Sequence, residues 1–130
     1  MTSPAAGRRA LAVTLAIAVT VLAADQGSKA WALRALDDRM IDVVWTLRLN
    51  LTFNSGMAFG RGRGWGPVIG IVATVVVVGL LVSLRSAGSR ISTVAVGLIV
   101  GGALGNVADR LFRGDGLLHG SVVDFIDFQW

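Results

Sequence analysis

Apolar positions along this chain fall into three long runs, separated by shorter segments rich in glycine and arginine. The first run follows Arg8 and Arg9 and reads ALAVTLAIAVTVLAADQGSKAWAL. The second, WGPVIGIVATVVVVGLLVSL from Trp65 to Leu84, carries no charge, and the third, from Ile91 to Phe112, is apolar as far as Ala108. About 20 apolar residues suffice for a helix to cross a bilayer, and valine-rich runs of this length exceed what strands use. The pattern predicts three transmembrane helices. Between the first two, Arg34 to Gly64 is mixed in character. There MIDVVWTLRLNLTF alternates in part, which predicts a short strand or hairpin at the membrane surface. NSGMAFGRGRGWG then supplies the glycines of a tight turn or loop. The fold class expected is an all-α polytopic membrane protein with a small β-like surface segment between its first and second helices.

The first run has a rival reading. Two arginines, an apolar stretch and VLAAD also describe a cleavable secretory signal. The apolar character continues past Asp25 and Lys29 into Ala30, Trp31, Ala32 and Leu33, which favours a retained helix.

Composition narrows the class. Across 130 residues, 54% are hydrophobic and only 15% charged, and mean hydropathy is +0.70, too few charges to cover a soluble domain of this size. The formal charge of +4 comes from arginines dispersed between the apolar runs, which suits lipid headgroups and gives no stripe for nucleic acid. Cysteine is absent and His119 is the single histidine, so neither a disulfide nor a clustered zinc site is expected, and no cofactor is implied. Orientation is ambiguous. Arg8, Arg9, Arg85 and Arg90 form clean cationic flanks on one side, whereas the opposite side has more arginines, diluted by Asp37, Asp38, Asp42 and Asp115.

Several polar residues are out of place in such a chain. Asp25 and Lys29 lie one helical turn apart, either as a boundary salt bridge with Lys29 reaching outward or as a brace for a polar pocket. Gly97, Gly101 and Gly105 form a small-residue stripe for close helix packing. Directly beyond it Asn106, Asp109 and Arg110 share one side of the helix, as a functional cluster or as a structural ion pair. Asn54 precedes Ser and Gly in a turn-like sequence, with Met57 and Phe59 placed to dip into lipid. Finally GSVVDFIDFQW sets Asp124 and Asp127 among apolar residues. Those acids are either an amphipathic surface segment or part of a reaction centre in which two carboxyls share a proton, Asp124 pairing with Asp109 or Asp127.

Four motifs, DQGSK at 25–29, NSGMAFG at 54–60, GGALGNVADRL at 101–111 and GSVVDFIDF at 120–128, together resemble the bacterial lipoprotein signal peptidases, the signal peptidase II family. That resemblance implies an aspartic endopeptidase of the bacterial cytoplasmic membrane, with four transmembrane helices and both termini cytoplasmic. It implies an Asp pair near the outer face that cuts signal peptides from diacylglyceryl-modified prolipoproteins just before the lipidated Cys. Carried onto this sequence, it makes Asp124 one catalytic aspartate. Asp25, Lys29, Asn54, Asn106, Asp109 and Arg110 become residues that line the pocket or place the substrate. Asp127 belongs to the family's pattern but not to its catalytic pair. The expected partners are a lipid-modified prolipoprotein and membrane lipids, with no nucleic acid; the resemblance leaves the oligomeric state open.

Two departures accompany the resemblance. LFRGDGLLHG, from Leu111 to Gly120, is longer than the family's pattern, which predicts an enlarged external loop. The family's second catalytic aspartate belongs to a motif resembling F-N-x-A-D that opens a fourth helix, and the 130 residues stop at Trp130 before any such motif. Residues 1–130 are thus expected to be one membrane peptidase domain lacking its fourth helix, and inactive or nearly so on their own. The alternative class is a small membrane transport or precursor-binding protein without peptidase activity.

Overall fold

The computed structural model describes residues 3–55, 64–84, 89–113 and 120–129. Met57, Phe59, Arg85, Asp115, His119 and the expected loop between 114 and 119 lie outside them. The elements run α1 (Pro4–Ala35), β1 (Ile41–Val44), β2 (Leu47–Asn54), α2 (Gly66–Ser83), α3 (Arg90–Phe112) and β3 (Val122–Phe128). All three helices are long and apolar enough to cross a membrane, as the hydrophobic pattern predicts.

Helix α1 starts earlier than the pattern predicts because its first turn is capped. Ser3 Oγ accepts the Ala6 N–H at 3.2 Å, and proline follows at the first helical position, where its missing N–H costs nothing. Its 32 residues make a rod about 48 Å long at 1.5 Å per residue, well beyond a hydrocarbon core of about 30 Å. The segment around Asp25 to Arg34 therefore has room to sit at the membrane boundary. Helix α3 is capped the same way, Ser89 Oγ accepting the Ser92 N–H at 3.1 Å. Helix α2 has no side-chain cap and no ionised residue, and it turns Val68, Ile71, Val72, Val75, Val76 and Val82 outward. In a bilayer those side chains meet acyl chains, so their exposure carries no penalty.

The helices meet along α3. Ala18 of α1, Val77 of α2 and Val100 of α3 form the buried centre, with Leu80, Leu81, Val96, Ala103 and Leu104 packed against it. The glycine stripe explains how closely α1 approaches. A Cβ at Gly97 would press on Ile17, one at Gly101 would come within 2.6 Å of Val21 Cβ, and one at Gly105 would collide with the Asp25 carboxylate. A buried hydrogen bond from Thr14 Oγ1 to the Thr93 carbonyl, 3.2 Å, ties the same two helices together.

The surface segment is a three-stranded antiparallel sheet in the order β1-β2-β3. The hairpin of β1 and β2 falls where the partial alternation predicts it, and its turn holds Trp45 at a φ of 48°, a left-handed conformation uncommon for a bulky residue. The third strand is new. Val122–Phe128 pairs with β2, matching Leu49 with Ile126, Thr52 with Asp124 and Asn54 with Val122. The acids at the end of the chain thus lie on a strand. Pairing also sets Asp42, Arg48 and Asp127 in one cross-strand row, and Arg48 Nε reaches Asp42 Oδ1 at 3.0 Å. Asp127 is accounted for there, accepting from Gln129 Nε2 at 2.7 Å.

Candidate functional site

Beyond the glycine stripe, the last turns of α3 lie beside the DQGSK turns of α1, and a fully buried carboxylate occupies the junction. Asp109 is 0% exposed. Its Oδ2 accepts from Lys29 Nζ at 2.8 Å and from the Val123 backbone N–H at 3.1 Å. Its Oδ1 accepts from Arg113 Nε at 2.8 Å and from Gln26 Nε2 at 3.1 Å. Both oxygens are therefore doubly engaged, the condition under which a buried carboxylate is tolerated.

Lys29 is equally committed. Its ammonium donates to Asp109, to Asp25 Oδ2 at 2.9 Å and to Asn106 Oδ1 at 3.2 Å, using all three of its donors. At 4% exposure it points into the α1–α3 interface, so the outward-reaching alternative for this lysine is corrected: its partners stand on the neighbouring helix. Two carboxylates and two cations, Asp25, Asp109, Lys29 and Arg113, make a neutral cluster. Gln26 completes it by donating to Asp25, Asp109 and the Gly105 carbonyl and accepting from Arg113 Nη2 at 3.3 Å. Neither Gln26 nor Arg113 was among the expected site residues. Spacing alone carried the signal, since Arg113 lies one turn beyond Asp109 and Gln26 one turn before Lys29.

The cluster holds the sheet in place. The Val123 N–H bond to Asp109 fixes β3 one residue before Asp124. Gly120 brings the chain back against the end of α3 with its N–H on the Arg110 carbonyl at 2.9 Å. A Cβ at Gly120 would strike the carbonyls of Asp109 and Arg110, so only glycine allows that approach. On the far side Phe125 meets Trp31 of α1 edge-on, ring centroids 6.4 Å apart. The strand is thereby pinned to both helices on either side of Asp124.

Asp124 itself is different. Its side chain is exposed, and among the described residues its carboxylate accepts no hydrogen bond and forms no ion pair; Thr52 Oγ1 donates to its backbone carbonyl at 3.4 Å. The carboxyl is nonetheless pushed above the ordinary carboxylate value. Loss of hydration is the main cause, with repulsion from Asp109 and Asp25 adding to it and attraction to Lys29 opposing it. Of the other expected residues, Asn106 is exposed and touches Lys29, Arg110 is buried at the end of α3, and Asn54 ends β2 opposite Val122. Asp25, Lys29, Asn106 and Asp109 are brought together, and Asp124 stands beside them on β3. Among the described residues no group of acids and histidines is arranged to hold a metal ion.

Three membrane-crossing helices, a buried neutral cluster and an adjacent open carboxyl define a polytopic membrane protein with a candidate acid centre at one end of its bundle. Comparison with known proteins makes the class specific. The family described as signal peptidase (SPase) II matches residues 17–130, and this chain belongs to that family. It is 39% identical over 130 residues to a lipoprotein signal peptidase of Mycolicibacterium smegmatis, covering 98% of this chain and 55% of that protein. To those of Mycobacterium avium and Streptomyces griseus it is 40% and 38% identical, covering 94% and 92% of this chain and 68% and 62% of theirs. The chain thus spans between 55% and 68% of the length of these relatives. Its fold matches a bacterial membrane enzyme solved by the in meso method at 2.3 Å, with a TM-score of 0.77 and 28% identity over 89% of this chain and 70% of that one. A second such structure, at 1.9 Å, matches with a TM-score of 0.69, 29% identity and coverage of 88% and 73%.

Proposed function

We propose that this chain serves a membrane aspartic endopeptidase that removes signal peptides from diacylglyceryl-modified prolipoproteins, cutting before the lipidated Cys. The observation that carries the reading is the contrast at the end of the bundle: a carboxyl held open and raised on β3, braced by a cluster whose own acids are fully engaged. In acid-pair hydrolysis one carboxylate takes a proton from the attacking water while its protonated partner gives one to the departing amine. A raised carboxyl with unused lone pairs suits either role, and Asp124 is assigned to it. Asp25 and Asp109 do not share that proton, because Lys29 binds both, and Asp127 belongs to the row with Arg48. The second carboxyl of the pair is none of these three.

Asn54, Asn106 and Arg110 are assigned to lining the pocket and placing the peptide, and Asp25, Lys29 and Asp109 to holding β3. The substrate's acyl chains would lie between helices, so that their binding energy positions the scissile bond at the lipid–water boundary. With the amino terminus cytoplasmic, where Arg8, Arg9 and Arg90 stand without acids, the site faces the outer leaflet. The test is Asp124→Asn in a cleavage-competent form of the protein, assayed with a diacylglyceryl-modified prolipoprotein peptide. Cleavage is expected to fall by about 10²–10⁴-fold or more while the peptide still binds. Normal cleavage by this variant would remove Asp124 from the reaction.

A further inference from the structure

At the other end of α1, about 24 Å along the helix from Asp25 at 1.5 Å per residue, the structure holds a second feature that the proteolytic reading does not use. A cavity of about 780 Å³ opens between the amino-terminal turns of α1 and α3. Arg9 of α1 and Arg90 of α3, remote in sequence, both line it, over walls that include Ala10, Val13 and Val94. No acid lies in the first turn of either helix, and among the described residues neither arginine forms an ion pair. Of the two capping serines at its mouth, Ser3 Oγ accepts the Ala6 N–H, and Ser89 Oγ accepts the Ser92 N–H and donates to Ser92 Oγ at 2.8 Å, so the full positive charges at the cavity are those of the two guanidinium groups.

We propose that this cavity binds one anionic phospholipid of the surrounding bilayer, its phosphate clasped between Arg9 and Arg90 and its acyl chains running down the apolar walls. Charge complementarity carries the choice of occupant, since two unneutralised guanidiniums set over an apolar floor match a phosphodiester joined to hydrocarbon. Continuity carries it as well: Val13 and Val94 are half-exposed and belong to the same surface that the helices turn toward lipid. The molecule supplies its own control. A neighbouring cavity of about 660 Å³ between α1 and α2 is lined by Arg8 alone among charged groups, over Leu11, Leu15, Val78 and Leu81.

The test is native mass spectrometry of the purified chain in detergent, mixed with phosphatidylglycerol or with phosphatidylcholine of the same acyl chains. Phosphatidylglycerol is expected to be retained in preference. Arg9→Gln and Arg90→Gln should each weaken retention by about fivefold, and together by about thirtyfold, whereas Arg8→Gln leaves it unchanged. Equal weakening by Arg8→Gln would mean a diffuse surface field and overturn the proposal. So would equal retention of phosphatidylcholine, or displacement of the lipid by inorganic phosphate alone. Both arginines are exposed, so the variants should keep the wild-type melting temperature. If the Gln pair nevertheless unfolds, the Arg9→Lys/Arg90→Lys pair decides: retention supports the site and loss overturns it.

Discussion

Two aspartates near one end of the bundle, Asp109 and Asp124, have been given opposite circumstances. Asp109 is wholly buried and spends both oxygens on four donors, two from α1, one from β3 and one from the residue that follows α3. Asp124, one residue past the backbone group that Asp109 grips, keeps its carboxylate open and raised. A charge buried in a bundle persists only if it is paired and bonded, and the pairing that makes Asp109 tolerable also makes it unreactive. The two acids divide the labour: Asp109 holds the strand, and Asp124 is held by it.

That comparison breaks most severely at Lys29. Lys29→Met leaves Asp25 and Asp109 facing each other without their shared cation, and is expected to cost roughly 3–5 kcal/mol, read from thermal unfolding in detergent. Gly105→Ala comes next. The added methyl meets the Asp25 carboxylate and must push α1 from α3, at about 1–3 kcal/mol in the same measurement. Arg113→Gln should cost less, about 1–2 kcal/mol, because its side chain is 28% exposed and water compensates in part. The smallest effect is expected at Asp124. Its folded-state carboxyl is raised, so the ionised form is disfavoured by folding, and stability from this group is present below the unfolded value near 3.8 and lost as pH rises. Asp124→Asn should therefore lie within roughly 0.5 kcal/mol of wild type, on the stable side at neutral pH, with the difference vanishing in acid.

Much of this arrangement was legible in the sequence, because its largest signals are local. The three apolar runs predicted α1, α2 and α3 to within a few residues at their inner ends, and capping by Ser3 and Pro4 accounts for the early start of α1. The four-residue spacing of Gly97, Gly101 and Gly105 announced a close helix contact, and Asp25 with Lys29 announced a pair. What the sequence withheld is non-local. Nothing near Val122–Phe128 says that its partner is the strand ending at Asn54, because that pairing joins segments separated by α2 and α3. Lys29 turns inward for the same reason: its other partners, Asn106 and Asp109, lie on the helix that packs against it. Arg113 was hidden by being read with the loop that follows α3, although one helical turn separates it from Asp109.

The most direct test of the division between the two acids is to melt Asp109→Asn and Asp124→Asn beside wild type, in one detergent at neutral pH. The account predicts that Asp109→Asn unfolds well below wild type, having lost its charge to Lys29 and Arg113, whereas Asp124→Asn melts at or slightly above it. Equal losses in the two variants, or a neutral Asp109→Asn, would contradict it.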